Sequence, residues 1–145
     1  MDFRKLVLAD MAGAAVVHRV SFDAALPSLM GLHTPEEDKT YFLGLHGSCD
    51  CWGGFENQSL VGILVLRDEW VEQLYVLPDL QGNGIGGRLL NIAMEEREAL
   101  SLWTFVQNES AQAFYEQRGF IKIRETDGTE NEEGAPALLY QWERR

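Results

Sequence analysis

The sequence predicts an α/β (α+β) fold with about six to seven β-strands and about four helices. Three observations support this: strand-forming runs occur in both halves of the chain, a strong helix start stands at Thr34-Pro35, and a glycine-rich loop at 81–87 separates a predicted strand from a predicted helix. The 145 residues are 46% apolar, which is enough for one ordinary core. We therefore expect residues 1–145 to form a single domain.

The strand predictions rest on runs of β-branched and aromatic residues and on alternation of apolar and polar residues. The second and third strands flank a short polar stretch at 56–59, which is typical of a hairpin loop, so we expect them to pair antiparallel. Pro78 ends the fourth strand, because proline cannot donate to a central ladder. The predicted strands are 3–8, 49–55, 60–66, 70–76, 102–106, 120–125 and 137–142.

The helix predictions rest on capping residues and helical periodicity. Thr34 can be the N-cap, with Pro35 at the first helical position and Glu37 placed for a capping box. Asp10 and Asn108 can begin two further helices, and Gly119 suits the left-handed position after a helix end. The predicted helices are 11–22, 35–46, 85–99 and 109–118, the third of them amphipathic.

Charge and composition exclude several classes of protein. Twelve basic against 23 acidic residues give a net charge of -11, which disfavours binding to nucleic-acid phosphates and suits a small cationic or amine-bearing partner. The chain lacks both a bilayer-spanning apolar run and the apolar stretch of a signal peptide, so we expect a cytoplasmic protein without a membrane partner. Cys49 and Cys51 should be reduced thiols, and no ligand spacing indicates a metal.

The glycine-rich loop has the properties of an anion site. Unpaired N–H groups and the positive end of a helix dipole converge there, and glycines let the backbone approach a ligand closely. A Walker loop would need Lys and then Ser or Thr where Arg88-Leu89 stands. A dinucleotide fingerprint matches formally, with Glu109 at a suitable distance, but four residues intervene after the strand and too little chain follows for a second half. A flexible connector is the remaining alternative.

Two segments carry a family resemblance. Residues 74–90 resemble the acetyl-CoA motif of the GNAT superfamily of N-acetyltransferases, and residues 108–120 resemble its second motif, in the expected order and at the expected distance. The resemblance implies the GNAT fold, with a single mixed, mostly antiparallel sheet. It also implies that acetyl-CoA is the co-substrate and that an amine receives the acetyl group.

The resemblance also assigns cofactor contacts. The pyrophosphate would lie on the loop backbone and the pantetheine arm beside the fourth strand and Asn108, while Arg88 and Arg118 are candidates for the nucleotide phosphates. The implied cofactor-binding residues are Leu74, Val76, Gln81, Gly82, Asn83, Gly84, Ile85, Gly86, Gly87, Arg88, Asn108 and Tyr115.

The chemistry requires an oxyanion donor, an acid for the leaving thiolate and a base for the amine. The resemblance places the donor on the main chain near Val76 and makes Tyr115 the acid, although packing alone could explain this tyrosine. Glu72 shares a strand face with Leu74 and Val76 by simple alternation, so it is the candidate base, with a surface carboxylate as the alternative. Trp103 stands where family members that acetylate protein N-termini often carry glutamate, which argues against that subgroup.

Two further segments, His33 to Glu37 and residues 126–136, resemble an uncharacterised GNAT subgroup with His-Thr-Pro-Glu-Glu and Thr-Asp-Gly-x-x-Asn-Glu-Glu segments. Capping explains most of the first segment and turn chemistry part of the second. The residues left over as acceptor-binding candidates are His33, Asn131, Glu132 and Glu133. The acceptor would be a small-molecule or amino-terminal amine, and a homodimer is compatible with the family. The competing function is a non-catalytic acyl-CoA-binding module.

Overall fold

The computed structural model describes residues 1–145 and contains one seven-stranded sheet with the order β1-β2-β3-β4-β5-β7-β6. All neighbouring strands pair antiparallel except β4 and β5, which are parallel. The strands are β1 Asp2–Lys5, β2 Asp50–Glu56, β3 Ser59–Arg67, β4 Trp70–Val76, β5 Ala99–Phe105, β6 Ile121–Thr126 and β7 Ala137–Glu143. The expected mixed, mostly antiparallel sheet is confirmed.

Four α-helices flank the sheet: α1 Met11–Ala25, α2 Pro35–Ser48, α3 Ile85–Glu96 and α4 Glu109–Gln117. The capping box of α2 forms as expected, since Thr34 Oγ1 accepts from Glu37 N and Glu37 Oε1 accepts from Thr34 N. Gly119 follows α4 with φ +92°. None of these helices combines the length and the apolar character that crossing a membrane requires.

Several details at element boundaries differ from the sequence expectation. Asp10 stands at the N-cap position of α1, but its side chain makes no cap hydrogen bond. Its carboxylate instead accepts from Val7 N at 2.8 Å and pairs with Arg4 at 2.9 Å, closing the short turn before the helix. α3 ends at Glu96 and β5 begins at Ala99, because Ser101 N donates to Glu69 O and draws this segment into the sheet.

The sheet separates two cores. Leu64 and Leu66 of β3 face the core that α3 shares with β5 and β7, whereas Ile63 and Val65 face the core under α1 and α2. Alternation along a strand sends neighbouring side chains to opposite faces. A molecule that reaches from one face to the other must therefore pass through an opening in the sheet.

That opening lies between β4 and β5. The two strands are in register only at Trp70 and Ser101, so they diverge toward Val76. Leu77 N donates to Val61 O, which means that Leu77 faces β3 and that the main-chain groups of Val76 face the diverging side. The parallel pair thus leaves the main chain at the carboxyl end of β4 without a partner strand on this side.

Candidate active site

The glycine-rich loop joins β4 to α3 on one side of this opening. Gly82 and Gly84 have φ values of +85° and +82°, a conformation that side chains resist. Gly84 is the N-cap of α3 and makes no side-chain cap bond, and no acidic residue lies in the first turn. Arg88 N is the first to bond back to Gly84 O. The preceding helical N–H groups therefore remain available to an anion.

Two arginines stand beside this helix end. The Arg118 guanidinium lies over the Phe114 ring at 3.9 Å, and its Nη2 is 3.1 Å from the position that a Cβ on Gly87 would take. The Arg88 guanidinium lies over the Phe3 ring at 4.2 Å. In an acidic chain, both place positive charge next to the exposed N–H groups of the loop.

The end of β4 is held by side chains. Val76 O accepts from Ser21 Oγ at 3.0 Å and from Gln81 Nε2 at 2.9 Å. Asn83 Nδ2 similarly donates to Leu80 O within the loop. Gln81 and Asn83 therefore shape the loop through their side chains, and contact with a ligand would come from their backbone.

Tyr115 lies in the α3-side core, 8% exposed, with its ring edge-on to Phe114 and Phe120. Burial raises the pKa of its phenol above the ordinary value, and nearby Tyr75 adds to the rise. Tyr75 belongs to the opposite face of the sheet, where it packs against the α1–α2 core. The two tyrosines thus belong to opposite faces of the sheet.

Asn108 caps α4. Its Oδ1 accepts from Ala111 N at 3.2 Å and from Ser110 Oγ at 3.2 Å. This arrangement satisfies the helix and leaves the amide Nδ2 to face other partners.

On the other face, a cavity of about 680 Å³ lies between α1, α2, β4 and the β6–β7 loop. We call it the amine pocket, after the amine acceptor that the sequence leads us to expect. Its lining residues include His33, Glu132 and Glu133, whereas Asn131 does not line it. His33 Nε2 and Glu132 Oε2 are 3.0 Å apart, so this pair joins the two sides of the rim. The hydrogen bond to Glu132 raises the pKa of His33.

Asn131 has a different role from the one expected. Its Nδ2 donates to Ala135 O at 2.8 Å, and its Oδ1 accepts from Ala135 N at 3.2 Å. Both ends of the amide are therefore committed to the loop backbone. Asn131 fixes the loop that presents Glu132 and Glu133, and these bonds leave little of its amide for a substrate.

Glu72 does not share the face of Leu74 and Val76. The β3–β4 register shifts where Val65 pairs with Gln73 and Leu66 pairs with Val71, so Glu72 is the extra residue of a bulge. Val71 continues the face of Leu74, and the Glu72 charge acts on Tyr41 and Arg67. Simple alternation therefore assigned the Glu72 carboxylate to the wrong face of the sheet. The β4 residue that lines the amine pocket is Gln73.

Sequence reasoning missed four polar residues of α1 and α2. Arg19 binds Asp38 through two contacts of 2.8 and 2.9 Å and Asp23 at 3.2 Å, which fixes the wall of the amine pocket. His18, on the same helix, lines the pocket with a wholly buried, unpaired Nδ1. A charged pair and a histidine inside the apolar pattern of α1 were the only signals, and they are also common in ordinary helices.

The buried histidine predicts a pH-dependent stability. Burial, with a smaller effect of Arg19, lowers the pKa of His18 to about 4 from 6.5, although Asp38 and Asp23 oppose this. The unfolded chain then binds this proton more tightly than the folded protein does. The contribution of neutral His18 to the free energy of unfolding is therefore complete above pH 6.5 and is lost as the pH falls toward 4. Over this pH window, we expect the free energy of unfolding of the wild type to fall by up to about 3 kcal/mol more than that of His18→Phe. Urea unfolding at pH 7 and 4.5 measures it, and equal losses would contradict it.

Comparison with known proteins agrees with this geometry. The acetyltransferase (GNAT) family model matches residues 21–120. A probable N-acetyltransferase of Mycobacterium tuberculosis, Rv2775, is 40% identical over 52 residues, which cover 34% of this chain and 30% of that protein. The match thus spans less than a third of the relative.

Two solved structures show the same fold over nearly the whole chain. Apo YjaB from Escherichia coli superposes with a TM-score of 0.80 at 21% identity, covering 99% of this chain and 98% of that one. The PaiA N-acetyltransferase of Thermoplasma acidophilum, in complex with coenzyme A, gives 0.73 at 19% identity and covers 98% of both chains. Since the family model spans more than two thirds of the residues, the chain belongs to the acetyltransferase (GNAT) family.

Proposed function

We propose that this protein transfers the acetyl group of acetyl-coenzyme A to a primary amine by direct attack, with Tyr115 protonating the leaving thiolate. The observation that carries the proposal is the divergence of β4 from β5. It opens the sheet between the glycine-rich loop, which begins α3 on one face, and an acidic cavity on the other. A cofactor on the first face can thereby meet an acceptor on the second.

The cofactor would lie along the end of β4. The N–H groups at the start of α3 and the arginines 88 and 118 suit its phosphates. Main-chain groups on the diverging side of β4, the Val76 N–H among them, can pair with the amide groups of pantetheine, as a neighbouring strand would. Asn108 Nδ2 stands on the α4 side of the same arm.

The transfer forms one C–N bond and breaks one C–S bond. The amine lone pair attacks the thioester carbon while the carbonyl electrons move to oxygen. A main-chain N–H near Val76 donates a hydrogen bond to the resulting oxyanion. As the oxyanion collapses, the C–S bond breaks and Tyr115 gives its proton to sulfur. The proton released by the attacking nitrogen restores the phenol through water, so the products are an amide and the free CoA thiol.

The cysteines fit direct attack better than an acyl-enzyme. Burial raises the pKa of the Cys51 thiol to about 11, so the nucleophilic thiolate is scarce at neutral pH. Cys49 directly precedes β2 and Cys51 is its second residue, and this start of β2 pairs with the end of β3. That end of the sheet is opposite to the carboxyl end of β4.

The amine pocket suits a cation that loses its proton before attack. Arg19 neutralises Asp38, and Glu37 is engaged in its capping box. Glu132 pairs with His33 and Glu36 is exposed, while Glu133 is half-buried and has no ion pair. Burial raises the pKa of the Tyr75 phenol, and the charge of Glu133 adds to this. We therefore assign the incoming ammonium, and its deprotonation through water, to Glu133 rather than Glu72.

Truncating this carboxylate should weaken use of the acceptor. We expect Glu133→Gln to raise the acceptor KM or lower kcat by roughly tenfold, because a charge-assisted hydrogen bond contributes about 1.5–3 kcal/mol. Acetyl-CoA affinity should stay unchanged. Glu132→Gln and His33→Ala should have smaller effects, since that pair lies at the exposed rim.

Glu130→Gln is the matched control for these variants. It lies in the same loop but outside the amine pocket, 4.0 Å from Arg124. Wild-type kinetics in Glu133→Gln, Glu132→Gln and His33→Ala together would remove the loop from the acceptor site.

Thiol release separates an enzyme from a non-catalytic acyl-CoA-binding module. The panel is n-butylamine, 1,4-diaminobutane, lysine amide and a peptide with a free amino terminus, each with acetyl-, propionyl- and succinyl-CoA. We expect amine-dependent release of CoA with at least one acceptor. Tight acetyl-CoA binding without release on any amine would favour the module.

A further inference from the structure

α1 presents two polar side chains to the end of β4. Ser21 Oγ donates to Val76 O at 3.0 Å. His18 lies three residues earlier, on the same helix face, and its ring meets the Tyr75 ring edge-on with centroids 4.8 Å apart. Tyr75 and Val76 are adjacent in β4. His18 therefore stands over the strand end at which the thioester would be held.

The His18 ring has no hydrogen bond that accounts for its presence. Its Nδ1 is buried without a partner, and the ring packs on Phe42 at 5.2 Å and Phe22 at 5.6 Å between centroids. A buried polar atom without a partner is costly. A phenylalanine would fill such an aromatic site without that cost, so packing alone does not explain a histidine that also lines the amine pocket.

We propose that His18 contacts the acceptor, its Nε2 accepting a hydrogen bond from an N–H of the attacking neutral amine. The inference rests on the proposed function. Because Nδ1 is enclosed, Nε2 is the ring nitrogen that can meet a ligand in the pocket. In the tautomer that carries its hydrogen on Nδ1, Nε2 offers a lone pair to the amine, and Nδ1 stays without a partner, as in the structure. This bond orients the nitrogen lone pair toward the thioester carbon, and no proton moves to His18.

The surroundings divide the pocket into two zones. Carboxylates including Glu36 and Glu133 occupy the α2 and loop side, whereas aromatic rings surround His18. An ammonium is favoured among the acids, whereas the inner zone already holds the Arg19 guanidinium, which lies over the Phe22 ring at 5.4 Å and repels a second cation. Burial lowers the pKa of His18 to about 4, so the ring is neutral at neutral pH. The acidic zone thus receives the cation, and the inner zone accepts it only as the neutral amine.

Kinetics of His18→Phe test the contact. The phenyl ring keeps the aromatic packing, so we expect an unchanged fold, unchanged acetyl-CoA affinity and a kcat/KM for the best panel amine that is roughly tenfold lower. His18→Gln, which keeps a hydrogen-bonding group, should recover part of the loss. A kcat/KM within twofold of wild type in His18→Phe would overturn the proposal.

His46→Phe is the matched control. This second half-buried histidine bonds Leu6 O through Nε2 at 3.2 Å and does not line the amine pocket. Its replacement should lower stability without changing acceptor kinetics. An equal loss of kcat/KM in both variants would also overturn the assignment.

A spectroscopic readout avoids dependence on variants. When n-butylamine is added to CoA-loaded wild-type protein, the imidazole ¹⁵N resonances of His18 should shift while those of His46 stay fixed. Unchanged His18 resonances at amine concentrations that saturate turnover would contradict the contact. If no panel amine is acetylated, the proposed function fails, and a shift of His18 would still demonstrate amine binding beside it.

Discussion

Gly84→Asp should abolish binding of acetyl-CoA. Gly84 is the N-cap of α3, with φ +82° and nothing within 4 Å of its would-be Cβ. An aspartate there would have room for its side chain, but it would add negative charge where the pyrophosphate is expected and adopt a strained backbone costing about 1–3 kcal/mol. Acetyl-CoA raises the melting temperature of a protein whose folded state binds it, so the variant should lose this shift.

Two further variants separate charge from strain. Gly84→Ala keeps the strain without the charge and should bind with intermediate affinity. Gly31→Asp carries the same charge at another glycine of positive φ, +88°, with equally open surroundings outside the loop, so it should bind normally. Calorimetric titration measures all three. Undiminished acetyl-CoA affinity in Gly84→Asp would remove the loop from the cofactor site.

Tyr115→Phe should lower kcat by roughly 100-fold or more while leaving acetyl-CoA affinity intact, because a general acid contributes about 10²–10⁴-fold. Burial raises the pKa of the phenol, so it stays protonated at neutral pH and is ready to give its proton to the thiolate. The ring contacts with Phe114 and Phe120 would survive in the variant. Stability should therefore change little, and the loss should appear in turnover.

Tyr140→Phe provides the control for losing a buried hydroxyl. Tyr140 lies in the same core, fully buried, and donates to Glu116 Oε2 at 2.6 Å. Its variant should lose about 1.5–3 kcal/mol of stability, as is usual for a hydrogen bond to a charged group, and keep its turnover. Full activity of Tyr115→Phe at neutral pH would make Tyr115 a packing residue.

Local signals determined much of this protein from the sequence alone. Thr34 and Glu37 specify a helix start through their own backbone, and the glycines 82 and 84 specify a loop with positive φ. The strands and helices, their order and the glycine-rich loop follow from such short-range chemistry and from periodicity. The family resemblance of the two motifs lies in the same contiguous segments.

Long-range packing decided the rest. The bulge opposite Val65 and Leu66 moved Glu72 off the face of Leu74, since register depends on both strands of a pair. The Asn131 amide hydrogen-bonds the backbone of Ala135. The residue type alone does not determine whether an asparagine bonds its own loop or a ligand. His18 became a pocket residue only when α1 packed over β4 and brought Tyr75 and Ser21 to the same place. Helical periodicity can assign a residue to a face, but the elements that meet that face are set by the whole fold.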